Sequence, residues 1–326
     1  MVTDFYLKIM RFDTVKSIVE ELFTTSIECS LSTPSSSAAI FLTASENFGI
    51  KLMKRIRVFS DEQILLDYKF EASQNERISM VEYSSDLKSV AYLKRYAVKD
   101  KGVMVLKKQA VFLRQTPISE GLGNMEDSLD LDPKFSYRKW IFNENRSVFG
   151  FLGVGVEDLD GTTHSREIKI IQLYERQLES SRPVKKLTLM SDFQFEEAQF
   201  SKTGDHLFMV NGTTLKIMER NGEIYKEILS APWDLAFDFI ENLNVYERES
   251  DISDFSISLS GKNICQLYDI DLTDSRIKLF HELEDIEGDF ITIQFYDDHK
   301  MVISSSTDDT ISIWKLDEGT QKFVVT

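Results

Sequence analysis

Apolar residues recur along the chain with the period of two that is typical of β-strands. Short segments rich in Val, Ile, Phe, Tyr and Leu alternate with polar turns throughout the sequence. No long stripe of apolar residues at helical spacing competes with this pattern. The sequence therefore predicts an all-β fold.

The apolar segments come in groups of four, most clearly in "FEEAQFSKTGDHLFMVNGTTLKIMERNGEIYKEIL", residues 195–229. Polar turns separate the four segments, and two of these turns contain Asn-Gly, which tolerates the positive φ that tight hairpins need. Four antiparallel strands joined by hairpins form one twisted sheet. Such a sheet cannot bury both faces alone, so copies of the unit must pack face to face.

The same four-segment unit can be followed along the rest of the chain, which predicts six complete units. Residues 1–25, with "DFYLKIMRFD" and "VKSIVEELF", correspond to the last two strands of a seventh, partial unit, although "TVKSIVEELF" is also compatible with a helix. The predicted strands are "SIECSLST", "AAIFLTA", "GIKLMKRI" and "QILLDYKF" in the first unit, "RISMVEYSSD", "SVAYLKRY", "GVMVLKK" and "AVFLRQT" in the second, and "WDLAFDF", "DFSISLS", "ICQLYDI" and "RIKLFHEL" in the fifth, which is less regular.

The last unit carries the most specific motif, "SSSTDDTISIWK", residues 304–315. This stretch resembles the repeat of the WD-repeat β-propellers, with Asp308 at the turn aspartate, Thr310 at the threonine and Trp314 at the tryptophan. Lys315 replaces the aspartate that follows, and Asp285 begins the dipeptide that stands where the family has Gly-His. The resemblance implies structural roles for the three matching residues: Asp308 in a turn and Trp314 in packing between blades.

The resemblance also implies the architecture. We expect a β-propeller of four-stranded antiparallel blades. The number of units predicts seven blades, six complete and one N-terminal partial blade at residues 1–25, and the alternative is a ring of six blades with an accessory hairpin. The whole chain, residues 1–326, would be a single WD-repeat-like domain. A partial blade would leave an open strand edge to which a partner could add a strand.

Charge is unevenly distributed along the chain. The net charge is −16, but residues 51–118 contain fourteen Lys or Arg and eight Asp or Glu. We expect these cations at a surface or paired with carboxylates, because unpaired buried charges are costly. They are candidates for binding a partner protein with an acidic surface, although a solvated face explains them equally. The candidate residues, called the basic arc below, are Lys51, Lys54, Arg55, Arg57, Lys94, Arg95, Lys99, Lys101, Lys107 and Lys108.

Residues 116–135, "TPISEGLGNMEDSLDLDPKF", interrupt otherwise short connections. The stretch is long and acidic, which predicts an inserted loop that binds a partner or regulates binding. Ser128 precedes acidic residues and could be phosphorylated. A plain flexible loop is the other interpretation.

The sequence contains few residues typical of a catalytic site. The four histidines, His164, His206, His281 and His299, are scattered in or next to predicted turns, which predicts exposed positions. H-x-x-x-H, G-x-S-x-G and P-loop motifs are absent from the sequence. The glycines near residue 153 lie in a predicted strand hairpin without the helix that a phosphate-binding loop requires. We therefore predict no catalytic residue, no metal, no cofactor and no enzymatic activity.

Cysteine use and hydropathy bear on the compartment. Cys29 and Cys265 lie far apart and form no C-x-x-C pair, which predicts buried free thiols rather than a disulfide or a zinc site. No apolar run is long enough for a membrane helix, and the N-terminus lacks a signal-peptide pattern. These features predict an intracellular protein, cytoplasmic or nuclear, without a membrane partner.

Function is inferred mainly from the resemblance. It implies a non-catalytic protein–protein interaction scaffold in a multi-subunit complex, presenting loops and the basic arc to other proteins. The alternative is a nucleic-acid-associated module that binds phosphates through the basic arc. A propeller enzyme is the third hypothesis and would need several His, Asp or Glu side chains converging on the inner strands.

Overall fold

The computed structural model describes most of the strands and the turns that join them. The backbone is described for residues 2–13, 18–30, 39–42, 48–52, 55–60, 63–69, 76–83, 89–114, 126–144, 147–158, 165–176, 184–232, 240, 242–247, 254–261, 264–283, 290–297, 300–305, 311–317 and 322–325. Side chains are described within residues 76–77, 79–80, 91–112, 128–144, 147–155, 168–176, 184–232, 240, 243–247, 255–260 and 265–279.

Strand is the regular element throughout this part of the chain, as the alternating pattern predicts. The strands are β1 (Val2–Asp13), β2 (Ile18–Ser30), β3 (Ala39–Leu42), β4 (Phe48–Leu52), β5 (Arg55–Ser60), β6 (Gln63–Lys69), β7 (Glu76–Tyr83), β8 (Ser89–Asp100), β9 (Val103–Arg114), β10 (Glu126–Leu131), β11 (Ser136–Phe142), β12 (Val148–Asp158), β13 (Ser165–Glu175), β14 (Lys185–Leu189), β15 (Glu197–Phe200), β16 (His206–Asn211), β17 (Thr214–Asn221), β18 (Ile224–Pro232), β19 (Asn242–Glu247), β20 (Asp254–Gly261), β21 (Ile264–Asp271), β22 (Arg276–Leu283), β23 (Phe290–Asp297), β24 (Lys300–Ser305), β25 (Ile311–Asp317) and β26 (Lys322–Val325).

The strands group into antiparallel sheets of consecutive hairpins. β1 pairs with β2 alone, and the later strands form four-stranded groups in chain order: β3–β6, β7–β10, β11–β14, β15–β18, β19–β22 and β23–β26. A short parallel bridge, Thr188 with Ile224 and Leu189 with Tyr225, joins β14 to β18 and links two of these groups. Six four-stranded units after an N-terminal hairpin is the arrangement that the sequence predicts.

By backbone contacts the chain divides into two compact units, Met1–Pro133 and Lys134–Thr326. The second unit contains the best-described core. A single domain over residues 1–326 stays a prediction.

The β15–β18 sheet is buried on both faces. On one face Phe208, Val210 and Ile217 pack in a cluster with residues of β20 and β21. On the other, Leu207 and Met209 pack with residues of β11 to β14. Alternate side chains of β16 thus enter two different clusters, which is why this strand is apolar at nearly every position instead of alternating.

Two Asn-Gly turns form in this sheet; the turn at Gly222 has the predicted positive φ, and the turn at Asn211 differs from the prediction. Gly222 takes a positive φ of 63°. At the other turn the Asn211 side chain supplies the constraint, because its Oδ1 accepts hydrogen bonds from the backbone N–H of Thr213 and Thr214. Such an Asx turn needs no positive φ.

Glycines in β12 allow close packing, which agrees with their predicted place in a strand hairpin. A Cβ on Gly153 would lie 2.7 Å from the carbonyl oxygen of Ser136 on the adjacent strand. A Cβ on Gly150 would lie 2.8 Å from Cδ2 of Leu173. These positions therefore require glycine for contact between neighbouring chain segments.

Several predicted strands of the first and fifth units are wrong. "SIECSLST" does not start the first four-stranded unit, because residues 26–30 belong to β2 of the N-terminal hairpin. That hairpin is the predicted partial unit, and residues 18–23 are strand rather than helix. In the fifth unit the first strand is Asn242–Glu247, whereas "WDLAFDF", residues 233–239, lies outside the described residues.

The larger errors concern two hairpins within Met1–Pro133. "GIKLMKRI" is not one strand but parts of β4 and β5, which pair with each other. "GVMVLKK" and "AVFLRQT" are not two strands but one strand, β9, of 12 residues. The fourth strand of that sheet, β10, comes from the stretch predicted as a loop.

Candidate functional site

The longest hairpin with described side chains is formed by β8 and β9, each of 12 residues. The two strands pair along their whole length, from Ser89 opposite Arg114 to Asp100 opposite Val103, around a two-residue turn. The turn residues Lys101 and Gly102 have φ of 48° and 89°. Two positive φ values are the geometry of a type I′ hairpin turn, which matches the twist of the strands.

The outer part of this hairpin extends beyond its neighbours in the sheet. β7 pairs with β8 only as far as Tyr96. β10 pairs with β9 only from Lys108 inward. Among the described strands, residues 97–107 therefore pair only with one another, and we call them the hairpin tip.

The hairpin tip is apolar and exposed. Val98, Val103, Met104, Val105 and Leu106 are 36%, 66%, 60%, 37% and 51% exposed. They are five of the eight large apolar residues that are exposed among the described side chains; the others are Met190, Ile228 and Leu279. A concentration of exposed apolar side chains on one element is typical of a binding surface.

The hairpin tip is also cationic. Lys99, Lys101 and Lys107 are exposed, and Asp100 is the acidic residue between them. The charged side chains thus surround the exposed apolar ones. Three predicted members of the basic arc lie in this tip.

Lys94 lies at the base of the same hairpin and is neutralised there. Its Nζ lies 2.6 Å from Oε1 of Glu76 on β7, with both side chains about three-quarters buried. Its ammonium also lies 5.6 Å from the centre of the Tyr96 ring, within cation–π range. The prediction that the cations pair with carboxylates is correct for this residue.

Lys108 is buried, contrary to the expected surface position, with 9% of its surface exposed. Its Nζ donates a hydrogen bond of 2.8 Å to the carbonyl oxygen of Pro133. Desolvation lowers the pKa of Lys108, and Arg95 lowers it further, while Asp132 opposes the shift. Lys108 therefore ties β9 to the chain that follows β10 rather than facing a partner.

Arg95 lies on β8, opposite Lys108 on β9, and three other members of the basic arc belong to the β3–β6 sheet. Lys51 lies on β4, and Arg55 and Arg57 lie on β5, opposite Leu52 and Ile50 in register. The prediction that Lys51, Arg55 and Arg57 lie on one strand is therefore wrong. Their side chains and the whole of Lys54 lie outside the described residues.

The stretch predicted as an acidic inserted loop contains an edge strand. Residues 126–131 pair with β9, so the loop prediction is wrong there, while residues 116–125 lie outside the described part. Nε2 of Gln109 donates hydrogen bonds of 3.1 Å to Oγ of Ser128 and 3.2 Å to Oδ1 of Asp130. The alternation of Leu129 and Leu131 with polar residues was the signal that could have revealed this strand.

His206 on β16 is partly buried, so its expected exposed position is wrong. Its ring lies 5.3 Å from the ring of Phe255, edge to face. Desolvation lowers its pKa, partly offset by Glu219, Asp205 and Glu247. Among the described side chains no three His, Cys, Asp or Glu residues are grouped to hold a metal ion.

The structural residues of the last unit are only partly described. Trp314 lies in β25, opposite Met301 on β24 and Val325 on β26. Asp308 and Thr310 lie outside the described residues. Cys265 is a buried free cysteine, as predicted, and burial raises the pKa of its thiol. In the described part of the chain, no helix has the length and hydropathy needed to cross a membrane.

Comparison with known proteins identifies the fold. No protein-family model and no curated protein matches the chain. The periplasmic gluconolactonase PpgL of Pseudomonas aeruginosa superimposes with a TM-score of 0.60 and 10% identity, over 98% of this chain and 90% of that chain. An oligogalacturonate lyase in complex with manganese superimposes with a TM-score of 0.52 and 10% identity, over 99% of this chain and 85% of that chain. A chain in a mitotic checkpoint complex structure superimposes with a TM-score of 0.52 and 9% identity, over 91% of this chain and 82% of that chain.

These similarities show that the fold is a β-propeller of four-stranded antiparallel blades, as predicted. The predicted function, a non-catalytic scaffold with a nucleic-acid-binding module as its alternative, is wrong, and so is the prediction that the chain is not an enzyme. The scaffold role was drawn from the WD-repeat resemblance, the nucleic-acid alternative from the basic arc, and the absence of activity from the lack of catalytic motifs, whereas the similar structures include a gluconolactonase and a lyase. The error arose because a propeller fold does not determine function.

Proposed function

We propose that the chain binds an acidic protein through the hairpin tip, residues 97–107. The observation that carries this proposal is the exposed apolar group at Val103, Met104 and Leu106. It lies on a two-stranded ribbon without further strand neighbours in the described sheet. An isolated two-stranded ribbon buries little of its own surface and gains stability by packing against a partner.

Charge and hydrophobicity together favour a protein as the partner. Lys99, Lys101 and Lys107 attract an acidic surface, and the rest of this strongly acidic chain repels it, which orients the approach to the tip. The apolar side chains require an apolar complement, because each contributes up to about 1.5–3 kcal/mol when fully buried. A bare phosphate backbone lacks such a complement.

A random copolymer of glutamate and tyrosine is a defined probe of this chemistry. We expect the full-length protein to bind it more tightly than poly-L-glutamate, because tyrosine adds apolar area. Replacing Val103, Met104 and Leu106 together by serine should weaken copolymer binding at least about tenfold. Fluorescence anisotropy of the labelled copolymer measures the affinity.

The matched control is Met190→Ser, because Met190 is 58% exposed and Met104 is 60% exposed. It should leave the affinity unchanged. Equal affinity of the triple variant and the wild type would contradict the proposal. So would tighter binding to phosphatidylserine vesicles or to single-stranded DNA than to the copolymer, because the partner would then be a membrane or a nucleic acid.

We also propose that the propeller is related to the WD-repeat family and that it functions inside the cell. Asp308, Thr310 and Trp314 support the relationship, because they match three positions of the WD motif. The free cysteine Cys265 supports a reducing compartment. Fluorescence microscopy of the tagged native protein tests the location.

Catalysis is the second candidate function, favoured by a polar pair on the first strands of two units. Nζ of Lys139 on β11 lies 2.6 Å from Oε2 of Glu197 on β15. Glu197 is 16% exposed and Lys139 is 41% exposed, so a small substrate can reach a partly desolvated ammonium–carboxylate pair. Such a pair supplies both an acid and a base for lactone opening.

Hydrolysis of gluconolactone tests this second candidate. We expect the wild type to exceed the background rate and Glu197→Gln to lose the excess, while the Lys186→Gln variant, which changes an exposed charge on β14, keeps it. A wild-type rate equal to buffer, or full activity in Glu197→Gln, would contradict lactone hydrolysis at this pair.

A further inference from the structure

The turn of the β8–β9 hairpin fixes which backbone groups of the hairpin tip face outward. Asp100 and Val103 flank the two-residue turn, and residues in these positions form a hydrogen-bonded pair. Hydrogen-bonded and non-hydrogen-bonded pairs alternate along an antiparallel ladder, and this register runs without a shift over all 12 residues of each strand. The pairs that contain Met104 and Leu106 are therefore non-hydrogen-bonded, so the N–H and C=O groups of these two residues point away from β8.

β10 occupies this outer edge of β9 only in part. Its last residue, Leu131, lies opposite Lys108. The same register would place Pro133 opposite Leu106, but proline has no N–H to donate to the ladder. The carbonyl oxygen of Pro133 instead accepts a hydrogen bond of 2.8 Å from Nζ of Lys108. Among the described strands, the edge of β9 at Met104 and Leu106 is therefore open.

The side chains along this open edge are apolar on both faces of the ribbon. Successive residues of a strand point to opposite faces, so Val103 and Val105 lie on one face and Met104 and Leu106 on the other. All four are exposed. Among the described side chains of β8, Val98 is the one large apolar residue that is exposed, at 36%. A strand added to β9 therefore gains apolar neighbours on both of its faces, which a strand added to β8 does not.

We propose that the acidic partner binds as an extended strand added to the edge of β9 at residues 103–107. This inference rests on the proposed partner binding and specifies how the partner is held. The backbone groups of Met104 and Leu106 form ladder hydrogen bonds with the added strand, which continues the line of β10. Lys101 and Lys107 lie near the two ends of the edge and attract carboxylates of the partner.

Charge favours an acidic partner strand over a second copy of this chain. The hairpin tip contains Lys99, Lys101 and Lys107 against Asp100, so two tips placed side by side repel each other. Each chain also has a net charge of −16, which opposes the association of two copies. An extended acidic segment complements the charge of the tip instead.

A peptide with and without backbone methyl groups tests strand addition on the full-length protein. The probe is EEYVYVEE, acetylated and amidated, with apolar residues for both faces and glutamates for the lysines at either end. The comparison peptide has N-methyl groups on its two central residues, one facing each edge of the extended peptide. Methylation keeps every side chain and charge but blocks ladder hydrogen bonds. We expect the methylated peptide to bind at least about tenfold more weakly in fluorescence anisotropy.

Proline substitutions identify which edge of the ribbon accepts the strand. Met104→Pro removes an N–H that faces the open edge of β9 and leaves the bonds between β8 and β9 intact, whereas Met104→Ala keeps that N–H. Lys99 lies opposite Met104, so Lys99→Pro and Lys99→Ala are the matched pair on the other edge. We expect Met104→Pro to bind EEYVYVEE at least about tenfold more weakly than Met104→Ala, and Lys99→Pro to bind like Lys99→Ala.

Failure of strand addition is distinguishable from failure of partner binding. Equal affinity for the methylated and unmethylated peptides would overturn strand addition while leaving the proposed partner binding in place. Absence of binding to EEYVYVEE and to the glutamate–tyrosine copolymer alike would overturn both. A dimer in sedimentation experiments that Met104→Pro dissociates would also overturn the inference, because a second copy of the chain would then occupy the edge.

Discussion

The β15–β18 sheet and the β7–β10 sheet have the same connectivity, but only the second extends a hairpin of exposed apolar residues into solvent. In the first, β16 spans only six residues and lies between two apolar clusters. In the second, β8 and β9 are 12 residues long and continue past the strands on either side. Strand length relative to the neighbouring strands therefore decides whether apolar residues become core or exposed surface.

The difference separates stability from recognition. The β15–β18 sheet holds buried aromatic residues such as Phe208 and Tyr225, whose loss opens cavities. The hairpin tip holds apolar residues that contribute little to folding because they are already in water. Substitutions in the two regions should therefore affect different measurements.

The largest expected effect is on stability in the packed sheet. Phe208→Ala should lower the free energy of unfolding by about 3–5 kcal/mol, because Phe208 is fully buried and packs on Phe255 with ring centres 5.0 Å apart. Met104→Ala in the hairpin tip should change it by no more than about 0.5 kcal/mol. Urea unfolding measures both, and similar losses would contradict the comparison.

Two glycines extend the comparison at an intermediate magnitude. Gly153→Ala should cost about 1–3 kcal/mol, because its Cβ would contact the carbonyl of Ser136. Gly102→Ala at the turn has no atom within 4 Å of its Cβ and only strains a φ of 89°, which costs about 1–2 kcal/mol. The sharper test is binding: Gly102→Ala should weaken copolymer binding by altering the tip, while Gly153→Ala should not in the folded protein.

The pH dependence of stability gives the smallest effect. Desolvation lowers the folded-state pKa of His206, so the unfolded chain binds a proton first as the pH falls. The contribution of His206 is present above its unfolded pKa of about 6.5 and is lost as the pH falls through the lowered folded value. The free energy of unfolding, measured at several pH values, should fall more for the wild type than for His206→Gln as the pH is lowered below about 6.5. The same pH dependence in both proteins would contradict this prediction.

The packed sheet was predictable because local and tertiary signals agree there. The segments around Ser201, Asn211 and Asn221 end in turn-forming residues, and the apolar runs between them have strand length. The β8–β9 hairpin was not predictable, because the polar residues Lys107, Lys108 and Gln109 in the middle of β9 look like the end of a strand. In the structure Lys108 is satisfied by the carbonyl of Pro133, a contact between distant residues that no local pattern reveals.

The candidate site was predictable only in part. The cations were identified from charge, but Val103, Met104 and Leu106 were predicted only as part of a strand, and the pattern of a strand does not show whether it is exposed. Their exposure follows from the extent of the neighbouring strands.

The central claim is that the hairpin tip is the binding surface, and hydrogen–deuterium exchange with and without the glutamate–tyrosine copolymer tests it most directly. Amides of residues 97–107 should exchange quickly in the free protein, because this ribbon has no further strand neighbours in the described sheet. They should become protected when the copolymer binds, while β16 stays unchanged. Protection confined to other parts of the chain, with the tip still exchanging quickly, would contradict the account.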